Sequence, residues 1–285
     1  MKQLTTKERL YSGKGLIDSP SQIKIRDSIY PFLLKLSKTK VKYNLNPENS
    51  LKTIEGHPKI FVFNHYSAQD TPIACNCIGE KAYILVGKQN LKWEDNLFFN
   101  AYGSIFVDRK DKEDMALSKL AMESYLKIGK SLIVFPEGTW NLDAAKLMLP
   151  MKWGIIEVAQ NTDAQIIPIR LHYDREDKKC DIKYGEPRLY PKGIDKAEAI
   201  NSLRDEMGNM IWEKIRNQTI LERSKVNVEE LEREYKQVLQ EYPQLDPEYE
   251  ESIVFRPNPS PEEVFGSIKL NPKKENAFLL RKKIA

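Results

Sequence analysis

The residues that decide the fold are Lys59-Ile60-Phe61-Val62-Phe63-Asn64-His65, an apolar run that ends in two polar side chains. Four apolar residues in a row, two of them β-branched, are typical of a buried strand. Four further runs of this kind follow along the chain, at residues 82–87, 103–107, 131–135 and 165–171. Their recurrence predicts a central sheet.

Polar stretches with the length and periodicity of helices lie between these runs. They cover residues 71–79, 90–101, 113–129 and 151–160. In the clearest of them Met115, Ala121 and Leu126 share one face, while the charges face away. Strands that alternate with helices predict the α/β class, with a mostly parallel sheet flanked by helices.

Two more helices and a proline-rich tail follow the alternating region. Residues 197–217 and 226–241 have the pattern of amphipathic helices, and six prolines after Tyr242 exclude one long helix there. We therefore predict a basic segment at 1–55, an α/β domain at 56–220 and a charged, helical and proline-rich C-terminal extension of unknown role at 221–285.

The composition excludes several classes of protein. With 285 residues, 41% of them hydrophobic and 30% charged, the chain is neither disordered throughout nor collagen-like. No run approaches the roughly 20 apolar residues that span a bilayer. Cys75, Cys77 and Cys180 lack metal-ligand spacing, and no apolar leader follows a cationic start. A reducing cytoplasm is the expected location.

Charge is distributed unevenly around a net value of +4. Residues 1–60 hold twelve basic and five acidic side chains, whereas residues 221–250 hold four and nine. A basic front end favours an anionic surface, either nucleic acid or lipid headgroups; the plain alternative is a solvated surface of uneven charge. No nucleic-acid-binding motif supports the first partner, so we expect a membrane surface and no nucleic acid.

His65 is the strongest candidate for chemistry among the three histidines. It follows a predicted strand, at the position where parallel sheets place their sites. Asp70 can fold back onto the imidazole and fix its tautomer, which leaves the other ring nitrogen as a general base. The alternative is a loop histidine, with Asp70 capping the next helix. Because no serine or cysteine lies in a recognisable nucleophile elbow, the attacking hydroxyl would belong to the substrate.

Other predicted strands also end in polar candidates. Arg109 can bind phosphate through two N–H groups, and Lys88 could join it. Glu137 lies in a tight turn with Pro136 and Gly138, at the same edge of the sheet. Each of these residues, taken alone, equally fits a surface charge or a strand-ending turn.

Four blocks contain these residues in a fixed order. They are Asn64-His65-x-Ser67-x-x-Asp70, Gly103-x-x-Phe106-Val107-Asp108-Arg109, Phe135-Pro136-Glu137-Gly138-Thr139 and Ile167-Pro168. Together they resemble the signature of the glycerolipid acyltransferases, whose best-known members are 1-acyl-glycerol-3-phosphate acyltransferases. The resemblance covers roughly residues 57–190 and makes 56–220 the acyltransferase domain.

The resemblance implies a mechanism and its partners. His65, oriented by Asp70, would deprotonate an acceptor hydroxyl, which then attacks the thioester of acyl-CoA or acyl-carrier protein. Substrate-binding roles would fall to the lysophospholipid contacts Lys88, Arg109, Glu137, Gly138 and Thr139. No metal or other cofactor would be needed. The protein would work in the cytoplasm, peripherally on the inner face of the membrane.

The acceptor is the most open part of this prediction. Trp140 and Asn141 follow the third block, where relatives often carry a basic residue or serine. A different lysophospholipid or a non-glycerol acceptor is therefore an alternative to 1-acyl-glycerol-3-phosphate. A non-catalytic lipid-binding protein of the same fold is an alternative of another class.

Residues 23–36 form an apolar patch with two interpretations. They lie in the membrane plane, or they pack on the core of the protein. In the first case Ile29, Phe32, Leu33 and Leu36 point inward, with Lys24, Arg26, Lys35 and Lys38 near the headgroups. Pro31 then requires a kink, or a helix that starts there.

Overall fold

The structure, a computed structural model, describes residues 3–89, 91–142, 146–216, 227–241 and 268–269. The strands are β1 (Asn44–Pro47), β2 (Lys59–Phe63), β3 (Ala82–Gly87), β4 (Ser104–Val107), β5 (Ser131–Val134), β6 (Gln165–Asp174) and β7 (Lys179–Tyr184). The helices are α1 (Thr6–Tyr11), α2 (Pro20–Lys40), α3 (Asp70–Cys77), α4 (Trp93–Tyr102), α5 (Lys112–Lys127), α6 (Gly154–Thr162), α7 (Lys196–Arg216) and α8 (Val228–Glu241).

The described strands form one sheet in the order β1-β7-β6-β2-β5-β3-β4. All neighbours pair in parallel except β6 and β7, which form an antiparallel hairpin. The predicted α/β class with a mostly parallel sheet is therefore confirmed.

Helices cover both faces of the sheet. The side chains of each strand alternate between the two faces, so a strand such as β2 contributes to two apolar clusters. Ile60 and Val62 of β2 pack into one apolar cluster with residues of α5, α6 and α7. Phe61 and Phe63 pack into the other, with residues of α2, α3 and α4. A continuous apolar run is what a strand buried on both faces requires.

The five predicted strands and six predicted helices all have counterparts within a few residues of their predicted ends. The sequence did not predict β1, β7 or α1. β1 and α1 are short and polar and lack the apolar run or periodicity on which the prediction depends. β7 alternates Cys180, Ile182 and Tyr184 with polar residues and has no continuous apolar run. The prolines after Tyr242 lie outside the described residues, and the predicted domain boundaries at 55/56 and 220/221 stay predictions.

Helix α2 runs through Pro31 from Pro20 to Lys40, so of the two alternatives for Pro31 a helix that starts there is excluded. Ser19 and Gln22 form a capping box that starts the helix upstream, with Pro20 in its first turn. Tertiary packing then outweighs the unfavourable proline. Leu33 and Ser37 are buried against the rest of the protein.

The apolar patch of α2 is divided between two faces. Leu33 is buried, and Ile29 packs partly against the same cluster, which supports packing on the core for this face. Phe32 and Leu36 are 68% and 41% exposed, so the predicted inward face is not continuous. Arg26 pairs with Asp18 at 2.7 Å and donates to carbonyls at the end of α4, so its guanidinium group is engaged within the protein.

Candidate active site

The sheet order brings four sequence candidates to one edge. Strands β2, β5, β3 and β4 are adjacent and parallel, so their carboxyl ends lie together. His65, Glu137, Lys88 and Arg109 follow these strands in that order across the edge. This edge is where open α/β sheets bind ligands.

Asn64 determines where the chain leaves the sheet. Its fully buried side chain donates to the carbonyl of Leu171 at 3.0 Å and accepts the N–H of Leu171 at 2.8 Å. The side chain thus replaces a rung of backbone pairing with β6. The backbone of His65 is then free to turn away, and its imidazole projects from the sheet.

His65 and Asp70 form the predicted dyad. The imidazole Nδ1 lies 2.7 Å from Oδ2 of Asp70, whose side chain is completely buried. The same oxygen accepts the backbone N–H groups of Tyr66 at 2.5 Å and Ser67 at 2.8 Å. A carboxylate that accepts these bonds also requires a donor at Nδ1, so Nε2 is left with its lone pair.

The alternative role of Asp70 as a helix cap does not match this geometry. Asp70 is the first residue of α3, the cap position belongs to Gln69, and the carboxylate turns back towards residues that precede the helix. The ring of Phe135 stacks on the imidazole of His65 at 4.2 Å between centroids, and Trp140 approaches it edge-on at 6.0 Å. Hydrogen bonding and stacking together fix the plane of the imidazole.

Glu137 lies beneath His65 and holds two loops together. Oε1 accepts the backbone N–H of His65 at 2.8 Å, and Oε2 accepts that of Leu149 at 2.7 Å. Burial raises the pKa of Glu137 to about 8, although these two N–H donors act in the opposite direction. Both oxygens therefore have backbone partners, and direct contact with an acceptor stays a prediction.

Arg109 lies over two glycines at the mouth of the site. Its Nη1 donates to the carbonyl oxygen of Gly138, whose φ of +81° turns this peptide towards the arginine. A Cβ atom on Gly87 would approach Nη2 of Arg109 to 3.0 Å. The glycines thus provide the space that the exposed guanidinium group occupies.

Lys88 points elsewhere. Its Nζ lies 3.1 Å from Oε1 of Glu8 in α1. Neighbouring strand residues face opposite sides of a sheet, so Gly87 meets Arg109 while Lys88 is directed towards the N-terminal helix. The structure brings His65, Asp70 and Arg109 together but does not bring Lys88 to them.

A groove of about 1700 Å³ passes over the dyad. Gly138 and Thr139 line it with His65 and Arg109. Among the described residues that line it, eight are lysine or arginine and two are acidic, so its potential favours anions. The basic residues are Lys40, Lys42, Lys92, Arg109, Lys110, Lys112, Lys119 and Lys152.

Apolar side chains line the same groove on both sides of the dyad. One side has Leu91, Phe98 and Phe99, near the end of α2; the other has Met115, Met122, Met151 and Ile155, between α5 and α6. A groove that combines apolar walls with a basic mouth fits an amphiphile that carries an acidic headgroup.

The sequence did not predict the contacts of three residues that support the loops of the site. The hydroxyl of Tyr173 donates to Oδ1 of Asp70. The backbone N–H of Asn141 donates to the carbonyl of His65 at 2.6 Å. Arg204 of α7 donates to the carbonyls of Met148 and Leu149, both at 3.0 Å. For Asn141 alone there was a signal in the sequence, since it is a polar residue two positions after the third block.

Comparison with known proteins agrees with the motifs. Residues 43–172 match the family model described as Acyltransferase. The chain is 31% identical over 116 residues to the 1-acyl-sn-glycerol-3-phosphate acyltransferase of Saccharomyces cerevisiae, which covers 39% of this chain and 38% of that protein. It is 29% identical over 132 residues to the probable enzyme of the same name from Mycoplasma pneumoniae, covering 45% and 47%.

A solved structure shares the fold. The 1-acyl-sn-glycerophosphate acyltransferase of Thermotoga maritima superposes with a TM-score of 0.55 and 18% identity, over 71% of this chain and 86% of that one. The resemblance drawn from the four blocks is confirmed by these matches. The chain nevertheless spans less than half the length of the two curated relatives.

Proposed function

We propose, from the membership of residues 43–172 in the acyltransferase family, that the protein transfers a fatty acyl group from a thioester donor to the hydroxyl of a phosphate-bearing lipid acceptor. The donor is acyl-CoA or acyl-carrier protein, and the first-choice acceptor is 1-acyl-glycerol-3-phosphate. The observation that carries the proposal is the contact of His65 Nδ1 with the buried Asp70 carboxylate, at the floor of a basic groove.

The reaction needs one base and no covalent acyl-enzyme, metal or cofactor. Nε2 of His65 takes the proton of the acceptor hydroxyl as the oxygen attacks the thioester carbonyl. A C–O bond forms and the C–S bond breaks, and the imidazolium returns its proton to the departing thiolate. The products are the acylated acceptor and a free thiol. Asp70 stabilises the imidazolium that forms in between.

The charge of the groove supports an anionic acceptor. Arg109 is exposed at the mouth and presents a planar group that suits phosphate oxygens. Lys110 and Lys152 line the same region of the groove. We assign the acceptor phosphate to this side, with Gly138 and Thr139 beside it, and leave Lys88 out of the assignment because it pairs with Glu8.

Exposed apolar side chains support attachment to a membrane surface. Ile25, Phe32 and Leu36 lie at i, i+7 and i+11 on α2, so they form one stripe. Trp93 on the neighbouring α4 is 72% exposed. The last residues of α2 and the residues Asp95, Phe98 and Phe99 of α4 line the groove, so a lipid acceptor that enters beside these helices would reach it from the bilayer. No described helix combines the length and the apolar character needed to cross a membrane.

The proposal is tested by measuring transfer of labelled palmitoyl from acyl-CoA and from acyl-carrier protein to a panel of lysophospholipids. His57 provides a matched control for His65. His57 precedes β2, whereas His65 follows it, so the two histidines lie at opposite ends of the strand. The Nδ1 atom of His57 is 3.2 Å from Oδ2 of Asp163. The variants to compare are His65→Ala and His57→Ala.

We expect transfer to lysophosphatidic acid in the wild type and in His57→Ala, and loss of transfer in His65→Ala. Undiminished transfer in His65→Ala would overturn the assignment of the base. If the wild type acylates none of the panel from either donor, the proposed function is wrong. Transfer to a different lysophospholipid alone would retain the reaction and replace the acceptor.

A further inference from the structure

We infer that Tyr173 is a positioning residue for the dyad, which holds the Asp70 carboxylate in the orientation that serves His65. The inference rests on the proposed function, because it takes His65 as the base. Tyr173 lies near the end of β6, one residue beyond the segment that matches the acyltransferase family.

The two oxygens of Asp70 have different partners. Oδ2 faces Nδ1 of His65 and the N–H groups of Tyr66 and Ser67. Oδ1 accepts the hydroxyl of Tyr173, and the hydroxyl of Ser67 lies farther away, at 3.5 Å. Rotation of the carboxylate would therefore break the contacts of both oxygens. Tyr173 supplies the contact that opposes this rotation from the Oδ1 side.

The hydroxyl of Tyr173 acts as a donor. Desolvation and the nearby Asp70 charge raise the pKa of Tyr173 well above its ordinary value, so the phenol keeps its proton at neutral pH. Tyr173 as a whole is half-buried, and its hydroxyl is the end that reaches the fully buried aspartate.

The β6–β7 hairpin fixes the position of Tyr173. Its backbone pairs with Cys180 of β7. The ring of Tyr43 packs edge-on against the Tyr173 ring, with 4.8 Å between centroids. The side chains of His172 and Asp174, on either side of Tyr173 in β6, point to the other face of the sheet. A residue held in this way from two sides can restrain a carboxylate with little freedom of its own.

Several other titratable or charged groups surround Asp70. Glu137 comes from the loop after β5, Cys180 from β7 and Tyr66 from the loop of the dyad itself, and Arg170 of β6 lies near Cys180 and Tyr66. Burial raises the pKa of Glu137 to about 8 and the pKa of Cys180 to about 12. It also raises the pKa of the Tyr66 hydroxyl well above its ordinary value. Glu137, Cys180 and Tyr66 are therefore mostly protonated, and uncharged, between pH 5 and 7.

Removal of the Tyr173 hydroxyl has a predictable direction. The carboxylate then shares its negative charge with one donor fewer, so more of that charge stabilises a protonated imidazole at His65. The acid limb of kcat/KM moves to higher pH, by roughly half a unit. The less restrained carboxylate also lowers kcat, by about three- to tenfold.

The experiment compares Tyr173→Phe with Tyr184→Phe. Tyr184 lies on β7 and donates its hydroxyl to the carbonyl of Cys77 at 2.7 Å, so the control loses one hydrogen bond of the same hairpin without touching the dyad. The pH profile of transfer is measured for both. The imidazole of His65 is also titrated by NMR, which is straightforward in a chain with three histidines once His65→Ala has assigned the signal.

We expect the NMR titration and the acid limb to move to higher pH in Tyr173→Phe and to stay at the wild-type position in Tyr184→Phe. An unmoved titration in Tyr173→Phe, or the same movement in both variants, would overturn the positioning role. The NMR readout does not require turnover. If it moves in a protein without acyltransferase activity, the contact with the dyad is supported and the proposed function alone fails.

Discussion

The carboxylate of Glu137 accepts the backbone N–H of His65 at 2.8 Å, which joins two sequence blocks that are 72 residues apart. The other oxygen reaches the N–H of Leu149 at 2.7 Å. One buried side chain therefore ties the loop of His65 to the loop that carries Leu149. The third block has a structural role at the site in addition to any contact with substrate.

The stability of this tie should depend on pH. The folded-state pKa of Glu137, about 8, exceeds its ordinary value of 4.5, so folding favours the protonated form. The stabilisation of the folded state by protonated Glu137 is fully present below about pH 4.5 and is lost as the pH rises through 8. We expect the free energy of unfolding to fall between pH 5.5 and 8.5 by roughly 2–3 kcal/mol more in the wild type than in Glu137→Gln. Urea unfolding at both pH values measures this, and parallel falls would contradict it.

Asp70→Asn should remove most of the turnover. The amide presents a donor or a neutral acceptor to Nδ1, so the imidazolium is no longer stabilised and the tautomer is no longer fixed. We expect kcat to fall by about 10²–10⁴-fold, with the acceptor KM changed little. Asp95→Asn is the control, since Asp95 also lines the groove but pairs with Lys40 at 2.8 Å. Equal losses in the two variants would argue against the dyad.

Gly87→Ala should weaken acceptor binding without removing a charge. The added Cβ would approach the guanidinium of Arg109 to 3.0–3.3 Å and displace it. We expect the KM for a phosphorylated acceptor to rise about three- to tenfold, and about 10–100-fold in Arg109→Ala, with the donor KM unchanged in both. In Gly154→Ala, the new Cβ meets Lys119 at an ordinary 3.7 Å, so the acceptor KM should stay at the wild-type value. A raised donor KM in Gly87→Ala would contradict this assignment.

The exposed stripe of α2 should contribute to membrane binding. Phe32→Gln combined with Leu36→Gln removes two apolar side chains that would enter the lipid interface. We expect binding to vesicles of phosphatidylglycerol and phosphatidylcholine to weaken by at least about tenfold, as measured by co-sedimentation. Leu189→Gln combined with Ile194→Gln is the control, because these residues are 38% and 39% exposed and lie in the segment of Tyr190, which packs on the other face of the sheet. Unchanged vesicle binding in the α2 variant would show that the stripe does not contribute to membrane binding.

Much of the fold follows from local pattern. The strands β2, β3, β5 and β6 each contain a run of at least three buried apolar residues because both of their faces are covered, and these runs are recognisable in the sequence. β1 and β7 are polar or alternating, and pairing with a neighbour in space forms them more than their own composition does. Helix α2 shows the same limit, since tertiary packing carries it through Pro31.

The sequence by itself predicted that His65 and Asp70 pair, and at which edge of the sheet they lie. His65 and Asp70 are close in the chain, and a parallel strand that ends before His65 fixes the side of the sheet. Only the tertiary structure decided which distant groups complete the site. Tyr173 and Arg204 reach it through strand order and helix packing, Glu137 binds the backbone of His65 there, and Lys88 is turned away from it by the alternation of β3. Contacts of this kind join residues far apart in the chain, so no local pattern marks them.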